Sequence, residues 1–221
     1  MAAATAGGCV LAGSASGAIL NGSFEAGSVG DTATADGTTP SVPFNDFDIR
    51  DAGSGGGATA PFTTAELVAT DVTDGSQALQ ITTNGAFNPF ISQSRSGADL
   101  VLEGLIDGQT YTFRADFAAT DTGNLGISDF FRLRVESTAG GVTTGVETPD
   151  ITANGSVSID FTFDSNADYE FMIRGGIYRG DTTSGFTTDN WQVVPEPGTA
   201  ALLALGGGMI ILRRREASSA P

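Results

Sequence analysis

Proton transfer and metal binding in this chain can draw on carboxylates alone. The ten basic residues are all Arg, set against 26 Asp and Glu, and there is no His. Losing His removes the commonest general base and metal ligand. Without Lys there is no Schiff-base amine and no Ser–Lys pair. The single Cys, Cys9, lies in the first ten residues, so the body has neither a disulfide nor thiol chemistry. What survives is glycosidase-type chemistry, which needs two carboxylates a few ångströms apart across a cleft, one of them with a raised pKa. With 26 acids in 221 residues, some pair meets any loose spacing rule, so spacing singles out none. The run Asp46-Phe47-Asp48-Ile49-Arg50-Asp51 opens like an EF-hand loop, but Arg50 occupies the fifth position and no Glu closes it. The expectation is a protein without catalytic residues.

The elements that position these side chains read as strands. At 40% apolar and 16% charged residues the chain is too hydrophobic for disorder, and its 31 Gly suit many turns. Tyr111, Phe113, Ala115 and Phe117 alternate with Thr112, Arg114 and Asp116. Phe131, Leu133 and Val135 alternate with Arg132 and Arg134; Val157, Ile159, Phe161 and Phe163 with Ser158, Asp160 and Thr162; Tyr169, Phe171 and Ile173 with Glu170, Met172 and Arg174. Strands with one apolar face need a second layer, which predicts an all-β sandwich. Turns fall at Asp74-Gly75-Ser76, Asn84-Gly85, Asp107-Gly108, Gly140-Gly141 and Asn154-Gly155. Residues 36–61, rich in Gly, read as a long loop or insertion. No segment before the tail has sustained helical spacing. The Arg of these strands are expected either to line a ligand cleft on one outer face or to pair with Asp116, Asp160 and Glu170 as a solvated lattice. A net charge of −16 repels phosphates, which excludes nucleic acid as a partner.

The last stretch has a different logic. Val194, Pro195, Glu196, Pro197 and Gly198 are followed by the uncharged run 199–212 and then by Arg213, Arg214 and Arg215. Prolines mark a stiff break from the domain. The run would make a short hydrophobic helix of about 21 Å at ~1.5 Å per residue, less than the ~30 Å hydrocarbon core. Taken together, proline motif, apolar helix and Arg cluster resemble the PEP-CTERM sorting signal. The resemblance implies an exosortase substrate, held transiently in the inner membrane with its Arg in the cytoplasm and then delivered to the cell surface or extracellular matrix. A sorting tail requires prior export, so residues 1–18 are expected to be a signal peptide or its remnant, with Ser16-Gly17-Ala18 as a cleavage site. Residues 19–193 are then the domain and 194–221 the tail.

In the body, Ile19-Leu20-Asn21-Gly22-Ser23-Phe24-Glu25, Asp74-Gly75-Ser76-Gln77-Ala78-Leu79-Gln80-Ile81, Leu105-Ile106-Asp107-Gly108-Gln109-Thr110-Tyr111-Thr112-Phe113 and Thr188-Asp189-Asn190-Trp191-Gln192-Val193 occur in that order. This series resembles the galactose-binding-like jelly rolls, the fold of many carbohydrate-binding modules. By that resemblance Glu25 and Asp189 hold a structural calcium ion joining the first and last strands, and a polysaccharide is the expected ligand. Sugar binding wants exposed aromatic rings. Phe47, Phe90 and Tyr178 lie in loop-like segments and are the candidates, whereas Trp191 aligns with an inward apolar position. The leading expectation is an exported, non-catalytic polysaccharide-binding module. The alternative is a structural envelope or biofilm matrix protein without a small ligand; an ice-binding protein is a distant third.

Overall fold

The computed structural model describes residues 18–35, 41–51, 63–84, 89–123, 125–127, 129–177 and 183–196. In chain order these form β1 (Thr32–Ala35), β2 (Ser41–Phe44), β3 (Phe47–Asp51), β4 (Thr63–Val68), β5 (Ala78–Asn84) and β6 (Pro89–Ser96). The short helix α1 (Gly97–Leu102) precedes β7 (Thr110–Ala119), β8 (Asp129–Ala139), β9 (Val142–Glu147), β10 (Gly155–Thr162), β11 (Asp168–Ile177) and β12 (Thr183–Pro195).

Side-chain alternation sorts the strands into two layers. Tyr111, Phe113, Ala115 and Phe117 of β7 are buried, as are Phe131, Leu133 and Val135 of β8 and Tyr169, Phe171 and Ile173 of β11. Each strand hides one face, and two sheets close on the hidden faces. The first sheet runs β1-β4-β5-β12-β7-β10 and the second β2-β3-β6-β11-β8-β9. Every pairing between these strands is antiparallel. The chain crosses repeatedly between sheets, the connectivity of a jelly-roll sandwich. The alternation expected in β7, β8, β10 and β11 is the alternation found.

The core is aromatic. Trp191 packs edge-on to Phe47 and Phe113, with ring centroids 5.1 and 5.3 Å away. Phe24 lies 4.8 Å from Phe47. Edge-to-face pairs of this kind add about 0.5–1.5 kcal/mol each beyond the area they bury. Trp191 reaches the core through a change of parity in β12. Phe186 and Thr188 point inward before the register shift between Asp189 and Gln192, and Trp191 and Val193 point inward after it. Asn190, at φ +54°, absorbs this bulge. Gly185 marks the closest approach of two strands, since a Cβ there would collide with the Ile81 carbonyl oxygen.

Four features depart from the sequence reading. Residues 36–61 are not all loop, because β2 and β3 form a hairpin within them. Its tip is Asn45-Asp46, with φ +50° and +72°, the positive-φ pair that a two-residue turn requires. That hairpin carries Phe47 into the core. Helix α1 is capped by Ser96, whose side chain accepts from the Asp99 N–H, and at six residues it is too short to show a helical period. Pro195 ends β12 instead of breaking away from the domain: it pairs with Tyr111 of β7, and the Glu196 N–H reaches the Thr110 carbonyl at 3.4 Å. Pairing with β5 covers only Thr183–Thr188, so the missing proline N–H costs no ladder bond on that side. Lastly, Ala18 belongs to the fold. It is fully buried, and its carbonyl accepts from Arg95 Nη1 at 2.9 Å. Next to it, Gln93 grips Leu20 through both of its backbone groups, at 2.7 and 2.8 Å.

Candidate functional site

With Phe131, Leu133 and Val135 inside, β8 turns Arg132, Arg134, Glu136 and Thr138 to the outer face of the second sheet. The same alternation turns Asp168, Glu170, Met172 and Arg174 of β11 outward, together with Asp48 and Arg50 of β3 and Ser92, Ser94 and Ser96 of β6. Register aligns them in cross-strand rows. Asp48, Ser92, Met172, Arg134 and Glu147 make one row, and Ser94, Glu170 and Glu136 the next. Ser96, Asp168 and Thr138 make a third.

Glu147 is the centre of this face. It accepts from Arg132 Nη1 at 2.9 Å, Arg134 Nη1 at 3.0 Å and Arg174 Nη2 at 2.7 Å. Partial burial works to raise its pKa, but Arg134, Arg174 and Arg132 together hold the carboxyl below the usual glutamate value. Arg132 also meets Asp150 at 2.6 Å, Arg134 meets Glu136 at 2.5 Å, and Arg50 meets Asp48 at 3.2 Å. Arg50 lies 3.0 Å from Glu170 as well, close enough for an ion pair but not aligned as a hydrogen bond. Gly145 leaves room for the lattice, since a Cβ there would sit 3.2 Å from Arg134 Nη2 and 3.3 Å from Glu136 Cγ.

Beyond the lattice the face opens into a groove of about 460 Å³, lined by Ser94, Ser96, Glu136, Thr138, Asp168 and Glu170. Two of its acceptors are fixed by guanidiniums, Glu136 by Arg134 and Glu170 by Arg50. Asp168 is exposed, and among the described residues it meets no cation and no side-chain hydrogen bond. At the other end of the face the half-buried Phe130 lies beside Gly176 in register, with the Arg132 guanidinium 5.1 Å from its ring centroid.

The first sheet has a smaller depression of about 350 Å³, lined by Asp71, Thr73, Asp116, Asn154, Ser156 and Thr187. Beside it, Glu25 and Asp189 grip the loop between β4 and β5. Glu25 accepts from the Ser76 N–H at 2.6 Å, the Ser76 hydroxyl at 2.7 Å and the Gln77 N–H at 2.9 Å. The Ser76 backbone and side-chain bonds hold its pKa below the ordinary glutamate value. Asp189, 1% exposed, accepts from the Thr73 and Asp74 N–H groups at 2.7 and 2.8 Å and from its neighbour Asn190 at 2.7 Å. Burial raises its pKa, against the lowering effect of those bonds.

The structure therefore brings Glu25 and Asp189 to one loop, as acceptors. Their oxygens accept from N–H and O–H donors, so each carboxylate is already engaged by hydrogen bonds. Among the described residues no group of three or more Cys, Asp and Glu is placed to hold a metal.

The aromatic candidates separate. Phe47 is buried at 2% exposure against Phe24 and Trp191, which corrects its assignment as an exposed ring. Phe90 sits on β6, opposite Arg50 on one side and Arg174 on the other, and its side chain is outside the described residues. Tyr178 lies outside them altogether. Of the tail motif, Val194, Pro195 and Glu196 are described; Pro197, Gly198, the run 199–212 and Arg213, Arg214 and Arg215 are not. Among the described residues no helix is long and apolar enough to cross a membrane.

Sequence reasoning grouped Arg114, Arg132, Arg134 and Arg174, but the fold divides them. Arg114 lies on the first sheet and donates to Gln192 at 2.7 Å, while Asp160 of the same sheet accepts from Thr112. Phe130, Glu147, Asp150 and Asp168 were not singled out, and Arg50 was noted only as the residue that breaks the EF-hand-like run. The one available signal was Phe130-Phe131 at the start of β8, where adjacent rings in a strand must face opposite ways.

No family profile matches the chain, and no curated protein is significantly similar to it. Solved structures are similar at low identity. The C-terminal family 22 carbohydrate-binding module of Clostridium thermocellum Xyn10B superposes with a TM-score of 0.45 at 16% identity, over 79% of this chain and 92% of that one. The CBM22-1 xylan-binding domain of Paenibacillus barcinonensis Xyn10C gives 0.43 at 14%, over 77% and 97%. A family 16 carbohydrate-binding module gives 0.41 at 16%, over 59% and 84%.

Proposed function

We propose that this domain is a non-catalytic module that binds polysaccharide along the outer face of the second sheet. The observation that carries the reading is the polar groove over β6, β11 and β8, open along the sheet and furnished with acceptors that are already held in place. Sugar hydroxyls need directional acceptors, and side chains fixed before binding lose little conformational entropy when a ligand arrives. Phe130, with the Arg132 guanidinium over its ring, adds an aromatic side chain at the far end of the same face. An extended chain can cover both, since β8 advances about 3.4 Å per residue between Phe130 and Thr138. The absence of His and Lys from the sequence supports a binding role over a catalytic one.

The second part of the proposal is the route. Residues 194–215 act as a sorting signal read by an exosortase, and residues before the domain act as an export leader, so the groove is displayed at the cell surface or in the matrix. The order of proline motif, apolar run and Arg cluster in the sequence supports this.

Retention on immobilised neutral, amino-bearing and uronate polysaccharides tests the binding. The wild type is retained by at least one of them, and Phe130→Ala or Ser94→Ala weakens retention while leaving the fold intact. If no column retains the wild type although cells display the domain, it is a structural matrix protein instead. Fractionation of cells expressing the full chain tests the route: replacing Arg213, Arg214 and Arg215 with Ala keeps the protein from the surface, and unchanged delivery would remove this part of the proposal.

A further inference from the structure

The charge pattern of the binding face selects among polysaccharides, and this inference rests on the binding reading above. We infer that the face prefers glycans carrying free amino groups and turns away those built on uronic acids. Among the described residues four guanidiniums lie on it, those of Arg50, Arg132, Arg134 and Arg174, and each is already engaged by one or two carboxylates at 2.5–3.2 Å. Arg50, Arg132 and Arg134 are each tied to two carboxylates and have few N–H groups left for a third, while Arg174 is tied to Glu147 alone, so a uronate must compete with carboxylates already seated on every one of these guanidiniums. Among the described residues the other cation lining the groove is Arg95, which is 8% exposed and donates inward to the Ala18 carbonyl.

The carboxylates outnumber their partners. Among the described residues, Asp48, Glu136, Glu147, Asp150 and Glu170 are matched by the four guanidiniums, and Asp168 stands in the groove without a cation. Asp168 is placed between Ser96 and Thr138 in register, one row from the pinned Glu136 and Glu170. An ammonium group on a bound sugar can approach it directly while neighbouring hydroxyls donate to Glu136 and Glu170. A uronate in the same position would meet like charge from all three. The overall charge of −16 attracts any polycation weakly and without position, so the inference is specifically about Asp168.

The experiment is a titration of the full chain with three soluble probes of matched length: a chitosan oligosaccharide at a pH where its amines are protonated, a cello-oligosaccharide and an oligogalacturonate. Asp168→Asn is compared with Asp71→Asn, which makes the same change in net charge at an exposed acid on the opposite sheet. The wild type is expected to bind the amino-bearing probe most tightly and the uronate least. Asp168→Asn should weaken the amino-bearing probe by about threefold, the scale of one exposed ion pair, and leave the neutral probe unchanged. Asp71→Asn should leave both unchanged. Equal weakening by the two variants, or uronate binding as tight as neutral, overturns the inference but keeps the face as a polysaccharide site. Failure of all three probes to bind, or binding indifferent to Phe130→Ala, overturns the binding reading itself and the inference with it.

Discussion

Replacing Glu147 by Gln removes the charge at the centre of the outer face of the second sheet while keeping the size of the side chain. The carboxylate meets three guanidiniums at 2.7–3.0 Å, and its side chain is 29% exposed. Ion pairs this accessible are worth about 0.5 kcal/mol each, so three give about 1.5 kcal/mol. A domain of this length loses about 2–4 °C of melting temperature per kcal/mol, which puts the expected drop at about 3–6 °C near neutral pH. The pH dependence carries its own sign. The folded-state pKa of Glu147 lies below the ordinary value of 4.5, so its stabilisation is fully present above 4.5 and lost as pH falls through the depressed value. Calorimetry of both proteins from pH 7 downward should show the gap between them closing in acid. Glu25 also has a lowered pKa, but it is present in both proteins and cancels from the difference. A gap under about 1 °C at pH 7, or one that widens on acidification, would refute the reasoning.

Other residues give further expectations. Asp189→Ala leaves the Thr73, Asp74 and Asn190 N–H groups without their carboxylate acceptor and should cost about 1–3 kcal/mol in urea denaturation; a loss under ~0.5 kcal/mol would show that the loop is not held there. Asp189 itself has the opposite pH sign to Glu147. With its pKa raised, its contribution is present below the ordinary value of 3.8 and declines as pH rises through the raised one. Phe47→Ala should cost about 3–5 kcal/mol as a core deletion beside Trp191, with polysaccharide retention per folded molecule unchanged; a stable variant that no longer binds would return Phe47 to the ligand. Melting temperature should be the same in EDTA and in millimolar calcium, since Glu25 and Asp189 are occupied by hydrogen-bond donors; a clear rise with calcium would contradict that.

The long strands were legible because one physical signal, an apolar inward face every second residue, runs through β7, the first half of β8, Tyr169–Ile173 of β11 and, from half-buried Val157 to buried Phe161, β10. The β2–β3 hairpin was not, because its strands are short, one contains Pro43, and its turn is Asn45-Asp46 without a Gly. Phe47 was misplaced with it. Flanked by Asp46 and Asp48 it looks like a loop ring, and only the pairing of β3 with β6 turns it inward. Glu25 and Asp189 were recognisable as important carboxylates, but sequence order cannot distinguish an oxygen awaiting a cation from one that caps backbone N–H groups. The charged outer face of the second sheet was hidden for a different reason. Its centre joins Glu147 to Arg132, Arg134 and Arg174, residues that meet only through the registers of β9 with β8 and β8 with β11. The Arg types were noticed, while the assignment of Arg114 to the other sheet depends on topology that alternation does not encode.

Backbone amide chemical shifts monitored during titration with a soluble oligosaccharide that the domain retains address the central claim most directly. Binding along the outer face of the second sheet predicts shifts concentrated at Ser94, Ser96, Thr138, Asp168 and Glu170, with Phe130 moving at the far end. Shifts confined to Asp71, Thr73 and Asp116 on the opposite sheet, or none at saturating ligand, would contradict the account.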